Sequence, residues 1–523
     1  MKRLRPILLT GLLLTFCLSA NIHAADGTPL WTNVFNGAGN GQDIPNSLAV
    51  DSSGNVYVTG YSFGGGSGYN YATIKYSSAG VSLWTNLFND AGNGDDFAKS
   101  LAVDSSGNVY VTGYSYNSSG NNYDYATIKY SSAGAQLWTN LFNGIGNGDD
   151  RANSLAVDAN GNVYVTGSSW GGGSSYDYAT IKYSSAGVPL WTNLFNGAGN
   201  SGDVANSLAV DGDGNVYVTG SGSRSDYATI KYSNAGVPLW TNLYNGSGNG
   251  NGQAYSLAVD SDGNVCVTGY SRGSGSFDYA TIKYSSAGVP VWTNRYNGAK
   301  NYNDMAHTVA VDGGGNVYVT GYTTATNGYS DYATIKYSSM GVPVWTNLIN
   351  GAGNDNDDAT SLVVDSSGNV YVTGYSWGNG SSYDYATIKY SSEGVPLWTN
   401  LFNGAANSQD MAAFLAVDGC GNVYVTGYSY NGSANNYDYT TIKYSGPPTP
   451  FKFVTTGGNP GFTNQQFRLT LTGPADSNAV ISASTNLQDW NSLTTNPLVS
   501  GTLTYTDTLA TNFILRFYRA NLQ

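Results

Sequence analysis

Short stretches in which apolar and polar residues alternate recur along this chain, separated by clusters of Gly, Ser, Asn and Asp. In Val109-Tyr110-Val111-Thr112 the valines fall on one side of an extended chain, and Tyr110 and Thr112 on the other. Ser100-Leu101-Ala102-Val103-Asp104 before it, and Ala126-Thr127-Ile128-Lys129-Tyr130 and Gln136-Leu137-Trp138-Thr139 after it, read as three more short strands. Ser105-Ser106-Gly107-Asn108 and Ser131-Ser132-Ala133-Gly134 are turns, where Gly supplies a positive φ and Asn bonds its own backbone. The pattern predicts four antiparallel strands in one unit.

That unit is written eight times at a period of about 53 residues. Gly-Asn-Val-Tyr-Val-Thr-Gly starts at Gly54, Gly107, Gly161, Gly214, Gly263, Gly315, Gly368 and Gly421, with Cys266 for Tyr in the fifth copy. Thr-Ile-Lys-Tyr, Trp-Thr-Asn and an apolar stretch ending in Asp keep the same step. Such a period signals a propeller, solenoid or array. A four-stranded sheet cannot cover both of its apolar faces alone, so each unit packs between two others. The chain opens on a lone fourth strand, Pro29-Leu30-Trp31-Thr32, and its last copy stops after a third strand at Tyr444. The expected architecture is all-β: an eight-bladed β-propeller closed by an N-terminal outer strand, followed by a small C-terminal β-sandwich.

Asp-Ser-Ser-Gly-Asn-Val-Tyr-Val-Thr-Gly-Tyr-Ser followed by Asp-Tyr-Ala-Thr-Ile-Lys-Tyr resembles the bacterial β-propeller repeats of SBBP type, often called seven-bladed β-propeller repeats. The resemblance runs from Trp31 to Tyr444 and implies a propeller outside the cytoplasm. It brings no catalytic residues, and the chain departs from it in having eight copies.

Four segments follow from the composition. Residues 1–25 read as a signal peptide, with Lys2, Arg3 and Arg5 ahead of an apolar stretch too short to span a bilayer. Residues 26–445 are the propeller, 446–450 a Pro-rich linker and 451–523 the sandwich. The expected location is secreted or cell-surface. Without the leader the net charge is 18 − 34 = −16, which disfavours nucleic acid and anionic membranes as partners. No later segment is apolar enough to span a membrane. Cys266 and Cys420 sit at different places in the unit and are expected to be unpaired.

Residues repeated eight times are poor candidates for a reacting group. The Lys of Thr-Ile-Lys is expected to be structural, partly buried and in need of an acidic partner. Asp43, Asp96, Asp150, Asp203, Asp304, Asp357 and Asp410 precede the first strands, with Gly252 in the remaining copy. They are weak metal candidates: either a ring that concentrates negative potential at the channel mouth or a set of Asx turns. No cofactor is expected, and calcium is the one ion that such carboxylates suit. Asp211-Gly212-Asp213-Gly214-Asn215 lacks the Gly and terminal acid of a calcium hand and reads as a turn.

The copies differ at Asn46, Lys99, Asn153, Asn206, Tyr255, His307, Thr360 and Ala413. The variable loops carry Tyr116, Trp170, Arg224, Arg272, Trp377 and Tyr430. Aromatic and cationic residues there can stack on sugars or anchor a protein. Trp170, Trp377, Tyr116, Tyr430, Arg224, Arg272 and His307 are the candidate binding residues. They point to a non-catalytic scaffold for a glycan or protein partner. The alternative is an enzyme on the same scaffold, quinoprotein-like or polysaccharide-degrading. Gly187-Val188-Pro189-Leu190-Trp191 resembles the Trp-docking hairpin of quinoprotein dehydrogenases, but the chain has no adjacent cysteines and a single Glu, Glu393.

Overall fold

A computed structural model describes residues 25–447 apart from 67, 174, 198, 223–225, 247–251, 274, 379–381 and 433–435. Beyond these it describes 452–453, 461–463, 466–472, 478–484, 491–498, 501–507 and 517–522. Residues 1–24 and 448–450, on which the expected signal peptide and Pro-rich linker fall, lie outside the described residues, and no helix occurs among those described.

Residues Gly27–Ser445 form one compact unit of eight four-stranded antiparallel sheets. Seven sheets run in chain order, first strand innermost, as in Asp43–Val50, Val56–Phe63, Tyr69–Tyr76 and Ser82–Phe88. The eighth takes its outer strand from the N-terminus: Pro29–Phe35 pairs antiparallel with Tyr437–Tyr444. The ring therefore closes with eight blades, as the staggered ends of the repeat imply. Beyond it, two small sheets share a core of Leu469, Leu471, Ala479, Ile481 and Leu498, and the Tyr518 hydroxyl donates to Asp507 at 2.8 Å.

Apolar cores lie between blades. The valines of Val-Tyr-Val face one neighbour, while the tyrosines of the second and third strands reach into the core of the other. The tyrosine that precedes Ala-Thr in each third strand (Thr-Thr in the last) is buried and donates its hydroxyl to a carbonyl of the next blade. Tyr71 reaches Ala126, Tyr125 reaches Ala179, and the set closes with Tyr439 on Ala72. Outside this layer, Trp31 donates its indole N–H to the Ser78 carbonyl, and Trp84, Trp138, Trp191, Trp240, Trp292 and Trp345 repeat the bond at the next turn. Gly80 shows why that turn ends in Gly. Its φ is +83°, and a Cβ there would lie 2.8 Å from the Trp31 ring.

The repeated lysine is buried, as expected, but its partner is not a carboxylate. Seven of the eight ammonium groups lie about 5 Å above the Val-Tyr-Val tyrosine ring, as Lys129 does over Tyr110 at 4.9 Å. Lys129 also donates to the Ser185 carbonyl of the next blade at 3.0 Å. The expected acidic partner is already occupied. Asp104 Oδ1 accepts the N–H groups of Ser106 and Asn108, and Oδ2 accepts the Asn108 amide and the Tyr110 hydroxyl.

The fifth copy is the natural exception. Cys266 removes the tyrosine, and Lys283 turns to Asp260 at 3.1 Å, the one ion pair formed by a repeated Lys among the described residues. Burial pushes the Cys266 thiol up to about 12, which removes its reactivity. Cys266→Tyr should restore the hydroxyl–carboxylate bond, return Lys283 to a ring, and stabilise the protein by about 1 kcal/mol. A lower denaturation midpoint for that variant in urea would contradict this exchange of partners.

Candidate ligand site at the propeller axis

The seven aspartates ahead of the first strands are almost completely buried. Asp150 accepts the Gly144 N–H at 2.6 Å and the Trp170 N–H at 3.1 Å; Asp357 does the same with Gly351 and Trp377. Six of the seven carboxylates thus tie the loop entering the blade to the end of the second strand, and Asp203 holds the entering loop at Gly197. Burial raises Asp43, Asp150, Asp304, Asp357 and Asp410, and takes Asp96 to about 6. Among the described residues no cluster of three or more acids, His or Cys is arranged to hold a metal.

Those bonds also fix the loop aromatics. Trp170 meets Tyr176 edge-on at 5.2 Å, Trp377 meets Tyr383 at 4.9 Å, Tyr116 meets Tyr123 at 5.7 Å, and Tyr430 meets Tyr437 at 5.5 Å. All four are half-buried, each with its ring laid over the entering loop of its own blade or packed on the third strand. Arg272 is exposed at the end of its strand, and Arg224 lies outside the described residues.

The positions that vary between copies gather at the axis. Every first strand carries a bulge: Pro45 faces Gly60 and Ser47 faces Thr59, which leaves Asn46 as the extra residue. Asn46, Asn153, Asn206 and Thr360 send a side-chain bond from this bulge to the first strand of the next blade, as Asn46 does to the Ala98 carbonyl at 2.8 Å. These four stitch the inner ring. Lys99, Tyr255, His307 and Ala413 occupy the same bulge without that bond.

His307 is where this change matters most. Its Nε2 lies 3.2 Å from Asp358 Oδ1, with side-chain exposures of 28% and 15%. The Tyr375 hydroxyl donates to the other Asp358 oxygen at 3.3 Å. Tyr255 stands 5.7 Å from the imidazole on one side and Tyr322 5.9 Å on the other. Three consecutive blades thus contribute Tyr255, His307 and Asp358 to one cluster. Burial, then the Asp358 charge, holds the Tyr322 phenol up at about 12.

A cationic counterpart spans the second and third blades. Lys99 and the Arg151 guanidinium both lie over the Tyr114 ring, at 5.5 and 5.4 Å, and Arg151 pairs with Asp149 at 2.8 Å. Burial and then Arg151 lower the Lys99 ammonium. Variation between copies at the bulge points to Lys99, Tyr255 and His307; Arg151 and Asp358 vary too, but ahead of the bulge, where any residue is accepted. These two directly follow the repeated Asp, at a position held by Ile44, Phe97 and Met305 in other copies. The tyrosine after Val-Thr-Gly also reads as plain repeat, although Ser168 and Ser221 replace it twice.

With this geometry in hand, the family is clear. The SBBP beta-propeller repeat matches residues 37–66, 83–121, 137–173, 190–228, 292–329 and 344–380. This is a propeller of SBBP repeats. Each match runs from the loop or fourth strand before a blade into the loop after its second strand, or, for 190–228, into the start of its third. The two copies of the unit left unmatched are the fifth, which carries Gly252, Tyr255 and Cys266, and the last. Curated proteins give no significant match. Solved structures of similar shape include Sqt1 from Chaetomium thermophilum, at 10% identity over 81% of this chain and 100% of that one, with a TM-score of 0.49. Another is a eukaryotic initiation factor, at 7% identity over 88% and 90%, with a TM-score of 0.39.

Proposed function

We propose that the protein is an exported, non-catalytic scaffold that binds a glycan or protein partner at the axis. The observation that carries this reading is the confinement of asymmetry. Within the first strands the eight blades differ in their chemistry at the inner bulge and at the residue two before it. Those positions hold one imidazole–carboxylate pair and one ammonium–guanidinium pair amid tyrosine rings. Aromatic faces beside polar and charged groups suit a sugar, which presents C–H faces and hydroxyls together. The half-buried Trp170, Trp377, Tyr116 and Tyr430 then shape the periphery.

One observation favours the enzymatic alternative: a His beside an Asp is the arrangement of an oriented general base. A glycan array followed by product analysis separates the two readings. Retention without cleavage is the expected outcome. His307→Ala with Asp358→Ala should weaken retention about tenfold and leave the melting temperature nearly unchanged. Cleavage abolished by the same variant would establish the enzyme instead, and retention unaffected by it would remove the axial site.

A further inference from the structure

A second kind of site lies between blades, away from the axis, and the fifth blade shows how it is filled. The fourth strand of that blade carries Arg295 where the other blades have Leu87, Leu141, Leu194, Leu243, Leu348, Leu401 or Val34. The Arg295 guanidinium turns into the gap beside the preceding blade. There it pairs with Asp278 at 2.8 Å, donates to the Ser271 carbonyl at 3.0 Å and to the Ser271 hydroxyl at 3.3 Å. Gly246 and Gly273 border the group, since a Cβ on either would lie close to a guanidinium nitrogen.

The same gap in the seventh blade is an open groove of about 480 Å³. Position for position, Asp384 stands for Asp278, Ser376 for Ser271, Gly378 for Gly273, Gly351 for Gly246 and Leu401 for Arg295. Trp377 forms one wall. Burial, with the nearby Asp410 charge, raises the Asp384 carboxyl to about 6. The equivalent aspartates of the third and sixth blades, Asp177 and Asp331, are more than nine-tenths buried, and each has an Oδ1 with no hydrogen-bond partner. In the third, sixth and seventh blades a carboxylate thus stands here without the arginine, whereas the first blade has Asn70, and Asn117 and Asn431 donate to Asp124 and Asp438 in the second and eighth.

We propose that the Trp377–Asp384 groove takes the guanidinium of an arginine side chain from a partner polypeptide, in the place that Arg295 fills in the fifth blade. The strongly acidic chain attracts such a partner. Leu348, Leu397 and Leu401 on the fourth strands beside the groove are half or more exposed and offer apolar contact to the residues flanking that arginine. The proposal is independent of the axial site.

The test uses the full protein labelled with 5-fluorotryptophan, with the Trp377 resonance assigned as the one lost in Trp377→Phe. The blocked peptide acetyl-Leu-Arg-Leu-amide should shift that resonance, and its citrulline counterpart should bind about tenfold more weakly or worse. Leu401→Arg should place a guanidinium in the groove, so that the resonance no longer responds to the peptide. Asp384→Asn should abolish the response without adding bulk, and it serves if Leu401→Arg does not fold. Equal shifts from arginine and citrulline peptides, or a full response in Asp384→Asn, would overturn the site. A free arginine amide as effective as the peptide would overturn the polypeptide partner.

Discussion

Tyr125→Ala is expected to cost about 3–5 kcal/mol, at the upper end of what one side chain contributes to a folded protein. Tyr125 is fully buried between the second and third blades, packs on Phe142 at 5.4 Å, and reaches the Ala179 carbonyl of the next blade at 3.2 Å. Removing the ring leaves a cavity walled by two rigid sheets that cannot collapse into it. Tyr125→Phe isolates the hydroxyl. Its cost should be only about 1 kcal/mol, because Thr166 also donates to the Ala179 carbonyl. Urea denaturation of both variants checks this. Equal losses would place the stability in the hydrogen bond and not in the packing. Because each blade touches only its neighbours, the loss should be similar at Tyr71, Tyr178 or Tyr332.

The fold is open to reading because every local choice in the repeat agrees with it. Alternation sets the strands, Ser-Ser-Gly-Asn sets the turns, and the fourth strand at Pro29 sets the closure. The repeated lysine shows where that reading stops. Its burial follows from its place in a third strand, but its partner depends on which group reaches Asp104 first. The Tyr110 hydroxyl reaches it, and the ammonium settles on the ring instead. Nothing in a typical copy reveals this competition; the fifth does, where Cys266 leaves Asp260 to the unchanged Lys283.

The candidate site is legible only in part for a related reason. Variation picks out His307 and Tyr255, but their contacts cross blades, from positions separated by about 50 residues. Asp358 stands beside the repeated Asp357 and reads as part of a turn, yet the strand alternation puts it on the opposite face, toward His307. The loop aromatics, set among Gly, Ser and Asn, read as exposed. Their half-burial follows from the backbone bonds to Asp150 and Asp357, which draw Trp170 and Trp377 down onto the loop glycines.

The central claim is a closed ring of eight blades, completed by the N-terminal strand. Removing residues 26–36 strips the last blade of its outer strand and of its register with Tyr439–Tyr444. It also removes Trp31, which packs near Tyr76 and Tyr424, and Phe35, which meets Tyr439 at 5.5 Å. The Asn400 amide loses the Gly27 carbonyl that it holds at 2.7 Å. Two large aromatic contacts at about 3–5 kcal/mol each, with an exposed third strand besides, should lower the melting temperature by on the order of 10 °C. A synthetic peptide of residues 26–36 should restore much of it by reoccupying the edge. The decisive measurement is calorimetry of the truncated chain with and without that peptide. A large loss that the peptide reverses is the expected result; an unchanged melting temperature after truncation would contradict ring closure by the N-terminal strand.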